Sequence, residues 1–289
     1  MTLDNMKFSR RSMLAAGAGA LAGLALTRGN LFAAGPVAAD PYAGLPMGIQ
    51  SYTFRDRSFE NALKTIRTKL NLSYVEIFPG HLSGISPAKT KELLKEYDMT
   101  VTAYGVVHFS KDIEADRKIF EFAKDLGIPH LSCDPDPDSF DNLDKLTEEY
   151  KITADIHDHG PGHRWGKIDV ILAAIKDHSK MIGLCDDTGH FIRAGEDPLR
   201  AAEDFASRMH AVHLKDFKKN DKGKYEDCAL GDGELKLKNF IDYLLSIKFR
   251  GDLSIEYEGK TPDEVVAGDL VKIKEIVAKY ESKVKEEKK

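Results

Sequence analysis

Downstream of Pro41 the chain alternates two kinds of segment. Short apolar runs, several of them rich in β-branched residues, predict strands over residues 47–53, 74–78, 100–107, 130–133, 151–157, 181–185, 209–214 and 253–257. Between them lie longer segments that fit helices with one buried face, clearest over 112–126, where Ile113, Phe120, Ala123 and Leu126 share a side and Gly127 closes the segment. Further helices are expected over 58–70, from Ser86-Pro87 to 97, over 142–150, from the loop 160–165 to about 178, after Asp197-Pro198, over 237–247, and from Thr261-Pro262 onward. Ser86 and Pro87 supply an N-cap and a first-turn proline. Residues 215–234, rich in Lys, Asp and Gly, read as a polar loop, and 281–289 as a charged, frayed tail.

Eight strand–helix units in about 240 residues match the count and size of a (β/α)8 TIM barrel, an α/β fold closed by right-handed crossovers. The competing open, doubly wound sheet should show a glycine-rich phosphate loop after an early strand, and none is present. No linker or composition shift marks a second domain, so 40–289 reads as one barrel.

Residues 1–39 read differently. Ser9-Arg10-Arg11-Ser12 precedes an Ala/Gly-rich apolar run from 15 to 26, and small residues follow at Val37-Ala38-Ala39. A positive start, a short apolar middle and a small-residue cleavage site make a signal peptide, and the paired arginines fit twin-arginine export to the periplasm or beyond. The run is too short and glycine-rich to serve as a stable membrane anchor. This leader carries a net charge of +3, which leaves −8 for the rest of a chain whose total is −5. An acidic body argues against a nucleic-acid partner. Hydrophobic content of 42% and charged content of 31% are ordinary for a globular protein. Cys133, Cys185 and Cys228 are odd in number and lack CxxC spacing, so they make neither a disulfide framework nor a cysteine zinc site.

Four late strands end alike, in imidazoles and carboxylates: Asp155-Ile156-His157-Asp158-His159, Cys185-Asp186-Asp187-Thr188-Gly189-His190, Val212-His213-Leu214-Lys215-Asp216 and Ile255-Glu256-Tyr257-Glu258. Strand ends of that kind form the active face of such a barrel. Alternation sets Asp155, His157 and His159 on one side, and likewise His213 with Lys215 and Glu256 with Glu258. Gathering so many ionisable groups costs heavily unless a cation or mutual pairing compensates. Two His, one Asp and one Glu suit a borderline divalent ion, Mn²⁺, Zn²⁺ or Co²⁺, and the expected ligands are His157, Asp187, His213 and Glu256. Candidate bases beside them are Glu258, Lys215 and His159, with Glu76 at the end of the second strand. His81 and Arg164, on loops above the site, and Asp216 are candidate substrate contacts. The Gly231-Asp232-Gly233-Glu234 run reads as a turn shaping the rim.

The Asp187-Thr188-Gly189-His190, Val212-His213-Leu214-Lys215-Asp216 and Ser254-Ile255-Glu256-Tyr257-Glu258 runs resemble the xylose-isomerase-like TIM-barrel superfamily, and within it the sugar phosphate isomerase/epimerase group. Ile156-His157-Asp158-His159-Gly160-Pro161 resembles a run of its secreted bacterial members. The resemblance implies a metal held by Asp187, His213 and Glu256, with His190 contacting substrate hydroxyls. Keto-sugar epimerases of that superfamily carry a Glu on the fifth strand that also moves a proton; this chain has His157 there.

The reading that follows is a metal-dependent isomerase or epimerase of a free sugar or keto-sugar, working through an enediolate, with a small carbohydrate as its partner and possible assembly as a homo-oligomer. A 3-keto-glycoside lyase acting by β-elimination is the alternative. A phosphodiesterase of the endonuclease-IV type would need an Asp-x-His pair after strand seven and a basic groove, and neither is present. A barrel that binds sugar without turnover would not need so full a ligand set.

Overall fold

The computed structural model describes residues 40–287, so the expected leader lies outside it. Its strands are β1 (Met47–Gln50), β2 (Tyr74–Ile77), β3 (Thr100–Phe109), β4 (His130–Pro135), β5 (Thr153–His157), β6 (Ile182–Asp187), β7 (Met209–Leu214), β8 (Asp216–Lys219), β9 (Tyr225–Cys228) and β10 (Asp252–Ile255). All but β8 and β9 are parallel and close into an eight-stranded barrel in the order β1, β10, β7, β6, β5, β4, β3, β2. Helices α1 (Phe59–Thr68), α2 (Pro87–Glu96), α3 (Ile113–Leu126), α4 (Phe140–Tyr150), α5 (Ile168–Ile175), α6 (Thr188–Ala194), α7 (Pro198–Asp204), α8 (Leu237–Ser246) and α9 (Pro262–Glu287) connect and follow the strands. The TIM barrel read from the hydrophobic pattern is therefore the fold.

The core lies between barrel and helices. Ile49, Val75, Ile77, Leu131, Ile156, Leu184, Val212 and Leu253 are fully buried, as are Leu63, Ile66, Phe120, Leu143, Ile171, Phe240 and Ile273 on the helices. Each such side chain contributes roughly 1.5–3 kcal/mol on leaving water. The alternate positions of the same strands face inward and are polar: Glu76, Ser132, Asp155, His157, Cys185, Asp187, His213 and Ser254. They pair across the barrel, Glu76 with His213 and Asp155 with His210.

Four local departures from the sequence pattern stand out, and the first three bear on the site. The first strand stops at Gln50, whose side chain accepts the Tyr52 N–H and turns Ser51–Phe54 into a 3-10 helix. β6 runs directly into α6, because Asp187 caps it by accepting the His190 N–H through Oδ1 at 2.8 Å. The expected polar loop contains an antiparallel hairpin of β8 with β9, in which Phe217 pairs with Asp227. The expected frayed tail is helical to Glu287. Among the described residues no helix is long and apolar enough to cross a membrane.

Candidate metal centre

The four expected ligands converge at the C-terminal mouth of the barrel. His157 ends β5, Asp187 ends β6, His213 is the penultimate residue of β7, and Glu256 follows β10. His157 Nε2 is 3.0 Å from His213 Nδ1 and 3.5 Å from Asp187 Oδ2; His213 Nδ1 is 3.2 Å from Glu256 Oε2 and 3.8 Å from Asp187 Oδ2. A tetrahedral ion with bonds of ~2.0–2.1 Å sets its donors about 3.3 Å apart, the edge of that tetrahedron. The observed spacings bracket that edge. Asp187 Oδ2 is buried without a hydrogen-bond partner, while Oδ1 is spent on capping α6. An orphaned buried carboxylate oxygen facing two imidazole nitrogens fits a cation better than it fits a hydrogen-bond network. These residues therefore suit a borderline divalent ion.

Charge at the mouth is balanced by a lysine. Lys215, only 1% exposed, sets its Nζ 3.0 Å from Glu256 Oε2, 3.5 Å from Asp187 Oδ2 and 2.5 Å from Glu258 Oε1. Burial works against its charge, yet the three carboxylates hold its proton far more tightly than usual. Lys215 is thus a fixed ammonium and not the base its position allowed. In turn, burial would push Asp187 and Glu256 toward the neutral acid, but His190 and Lys215 hold Asp187, and Lys215 and His213 hold Glu256, well below the ordinary carboxylate range. Three carboxylates facing one ammonium leave room for a doubly charged ion. Gly189 lets the lysine lie against α6: a Cβ there would stand 2.6 Å from Lys215 Cγ and 2.8 Å from the Phe217 ring.

Two further histidines line the cavity with fixed tautomers. His159 Nδ1 lies 3.1 Å from the His157 carbonyl oxygen. A carbonyl only accepts, so Nδ1 carries the proton and Nε2 keeps its lone pair. His190 Nδ1 receives an N–H from Arg193 at 3.3 Å, so its proton sits on Nε2 as a donor. Burial, reinforced at His159 by His157, lowers His159 to about 3; at His190 burial outweighs Asp187 and sets it at about 4. Both rings are neutral near pH 7, one an acceptor and the other a donor.

Four sequence candidates stand elsewhere. Glu76 is buried behind the cluster, with Oε2 2.5 Å from His213 Nε2, where it orients that ring instead of facing the cavity. His81 packs into the wall, its ring nitrogens 3.0 Å from Ser51 Oγ and 3.2 Å from the Phe54 carbonyl oxygen. Arg164 is drawn to Asp136 Oδ1 at 2.6 Å, outside the cavity lining. Asp216 turns under the rim and accepts the N–H groups of Gly231, Gly233 and Leu235, which pins the turn and the hairpin base. These corrections share one cause: each side chain finds a partner in the wall or rim before it reaches the cavity.

The cavity itself is about 570 Å³, within the ~300–1,000 Å³ of small-molecule sites. Part of its wall is aromatic, formed by Tyr52, Phe78, Phe217 and Tyr225, and Gln50 and Asp227 also face it. Sequence reading missed these residues. The Phe217 and Tyr225–Asp227 wall depends on the hairpin, whose only signal was a turn-rich Asn220–Lys224 run flanked by aromatics.

A profile of the xylose isomerase-like TIM barrel family matches residues 68–276. The chain is 27% identical over 136 residues to inosose dehydratase 2 of Bacillus cereus, a match spanning 42% of this chain and 45% of that relative. A solved protein of Parabacteroides distasonis ATCC 8503 shares 28% identity with a TM-score of 0.62 over 80% of this chain and 98% of its own. A solved D-tagatose 3-epimerase-like protein shares the fold with a TM-score of 0.63 at 20% identity, over 85% of this chain and all of its own.

Proposed function

The chain belongs to the xylose isomerase-like TIM barrel family, and we propose that within it this protein is a divalent-metal isomerase or epimerase of a free keto-sugar. The observation that carries the reading is the convergence of His157 Nε2, Asp187 Oδ2, His213 Nδ1 and Glu256 Oε2 beside a neutral imidazole with a free lone pair, His159 Nε2. When bound there, a divalent ion would supply Lewis-acid polarisation of a substrate carbonyl and so acidify the adjacent C–H. The protein's own residues supply the rest. His159, neutral with its Nε2 lone pair free, takes the α-proton; burial makes it a weak base, so the step depends on the acidification that the ion would supply. His190 donates its Nε2–H to a substrate hydroxyl. Lys215 neutralises Asp187, Glu256 and Glu258 and keeps the two ligands ionised. The aromatic wall of Tyr52, Phe78, Phe217 and Tyr225 covers the apolar faces of the sugar and limits water.

A second reading, β-elimination by a lyase or dehydratase, has its own support. The fifth strand presents His157 as a ligand where a proton-carrying glutamate would stand in the keto-sugar epimerases, and the relative from Bacillus cereus is named a dehydratase. An arginine pair followed by an apolar run before residue 40 supports a site of action outside the cytoplasm, where unphosphorylated sugars are the available substrates. The deciding experiment incubates metal-loaded protein in D₂O with free ketohexoses and with 3-keto-glucosides. Deuterium in a recovered epimer or isomer supports the first reading. Released aglycone with an unsaturated sugar supports the second, and no reaction with either class refutes both.

A further inference from the structure

We propose that Asp227, on the hairpin, is the second proton-transfer group of this site, working across the ligand cluster from His159. The inference rests on the isomerase or epimerase reading and names the acid that reading lacks. Around the barrel the ligands follow the strand order β5, β6, β7, β10. His159 extends from the β5 end of that arc. Asp227 meets the opposite end, where its Oδ2 accepts the Glu258 N–H at 3.2 Å, two residues beyond the β10-side ligand. A substrate seated on the ligands is therefore flanked by one group at each end.

Asp227 has the attributes of a group that gives and regains a proton. It lines the cavity, and its Oδ1 has no hydrogen-bond partner. Tyr225 lies two residues away on the same face of β9, and Phe217 is the cross-strand partner of Asp227. Beside these rings the Asp227 Oδ1 atom is itself buried. The charged groups around it are Lys215 from the end of β7, Glu258 after β10, and Asp187 at the end of β6. Burial, aided by Glu258 and Asp187 against the pull of Lys215, raises Asp227 to about 7, where it holds its proton part of the time at neutral pH. Glu258 is tied to Lys215 at 2.5 Å and is not free for the same task.

The step balances without a co-reactant. His159 Nε2 takes the proton on the carbon next to the carbonyl, and the C–H electron pair becomes a C=C bond while the carbonyl π pair moves to oxygen. On return, that oxygen pair re-forms the carbonyl, and the carbon takes the Asp227 Oδ1 proton on its other face. Asp227 ends ionised and His159 protonated, and solvent restores both.

The test uses Asp227→Asn and His159→Gln in the full, metal-loaded protein with D-fructose and D-psicose, which differ only at C3 beside the carbonyl, in D₂O. D227N is expected to keep the exchange of the α-proton for deuterium from the epimer that faces His159, within about tenfold, while epimer formation falls by ~10²–10⁴-fold. H159Q is expected to show the mirror pattern, exchanging only from the opposite epimer. Metal content should be unchanged in both. Epimerisation by D227N at the wild-type rate, or loss of exchange and epimerisation together, overturns the assignment. If wild type neither exchanges nor converts these sugars, the proposed function fails, and a substrate-free measurement still reads Asp227. The infrared difference between wild type and D227N at mildly acidic pH should contain a protonated-carboxyl C=O band that titrates near neutrality; a difference made only of carboxylate bands contradicts the inference.

Discussion

Replacing Glu76 by Gln separates ligand orientation from ligation. Glu76 never meets the cavity, yet its Oε2 stands 2.5 Å from His213 Nε2, in a pair that is at most 1% exposed. A carboxylate there holds the proton on Nε2, so the Nδ1 lone pair faces the other donors, and it makes the ring a stronger ligand. Glutamine keeps the size and an accepting oxygen but removes the charge. Loss of such an outer partner lowers metal affinity by ~10–100-fold, equal to about 1.4–2.7 kcal/mol. Competition of Co²⁺ or Zn²⁺ against a chromogenic chelator measures this directly. Asp252→Asn serves as the comparison, because Asp252 lies in the same buried cluster as Glu76 and His213 but its Oδ1 accepts from Thr102 and Ser254 and makes no hydrogen bond to the imidazole. It should change affinity less. An E76Q protein that folds and binds metal within twofold of wild type would refute the assignment of His213 Nδ1 as a ligand held in place by Glu76.

Other expectations follow from the same geometry. His159→Ala should retain one equivalent of metal while turnover falls by ~10²–10⁴-fold, and loss of metal along with activity would instead make His159 part of the binding set. Stripping the metal should lower the melting temperature: a ligand at one hundred times its dissociation constant stabilises by about 2.7 kcal/mol, and at roughly 2–4 °C per kcal/mol the shift is about 5–10 °C; equal melting curves with and without chelator would contradict a resident ion. At the other end of the barrel His210 Nδ1 donates to Asp155 Oδ1 at 2.6 Å, and although burial opposes its charge, Asp155 raises it above the usual histidine value. A raised folded-state value means the pair's stabilisation is fully present below the unfolded histidine pKa of about 6.5 and is lost as pH rises through the folded one. Denaturant titrations across that window should show stability falling with pH more steeply in wild type than in H210Q, since the raised carboxyls Asp227 and Asp269 give both proteins a common slope; equal slopes would contradict the His210 assignment.

The barrel was legible because its strands bury one face in a continuous apolar layer, and such runs announce themselves in any order of loops. The convergence of the four candidate ligands was legible for a related reason. His157, Asp187, His213 and Glu256 each sit where an apolar run ends, and the fold turns all such ends toward one mouth. What the chain order hid were partners made across the barrel or by irregular backbone. Glu76 looked like a catalytic carboxylate until His213, 137 positions away, proved to be its partner. Lys215 looked like a base, but its pairing with three carboxylates fixes it as a cation. Asp216 and Asp227 traded expectations: the first is consumed by three N–H groups of the rim, and the second, in a stretch read as loop, faces the cavity because β9 carries it there. Hairpins with polar, lysine-rich strands leave little periodic signal, since only one side of two short strands needs to be apolar.

Anomalous diffraction from crystals of the purified protein, with elemental analysis of the same sample, tests the central claim most directly. One divalent ion per chain is expected, within bonding distance of His157 Nε2, Asp187 Oδ2, His213 Nδ1 and Glu256 Oε2. A sample that holds no stoichiometric ion after incubation with Mn²⁺, Zn²⁺ and Co²⁺, or one whose ion sits away from these four atoms, would contradict it.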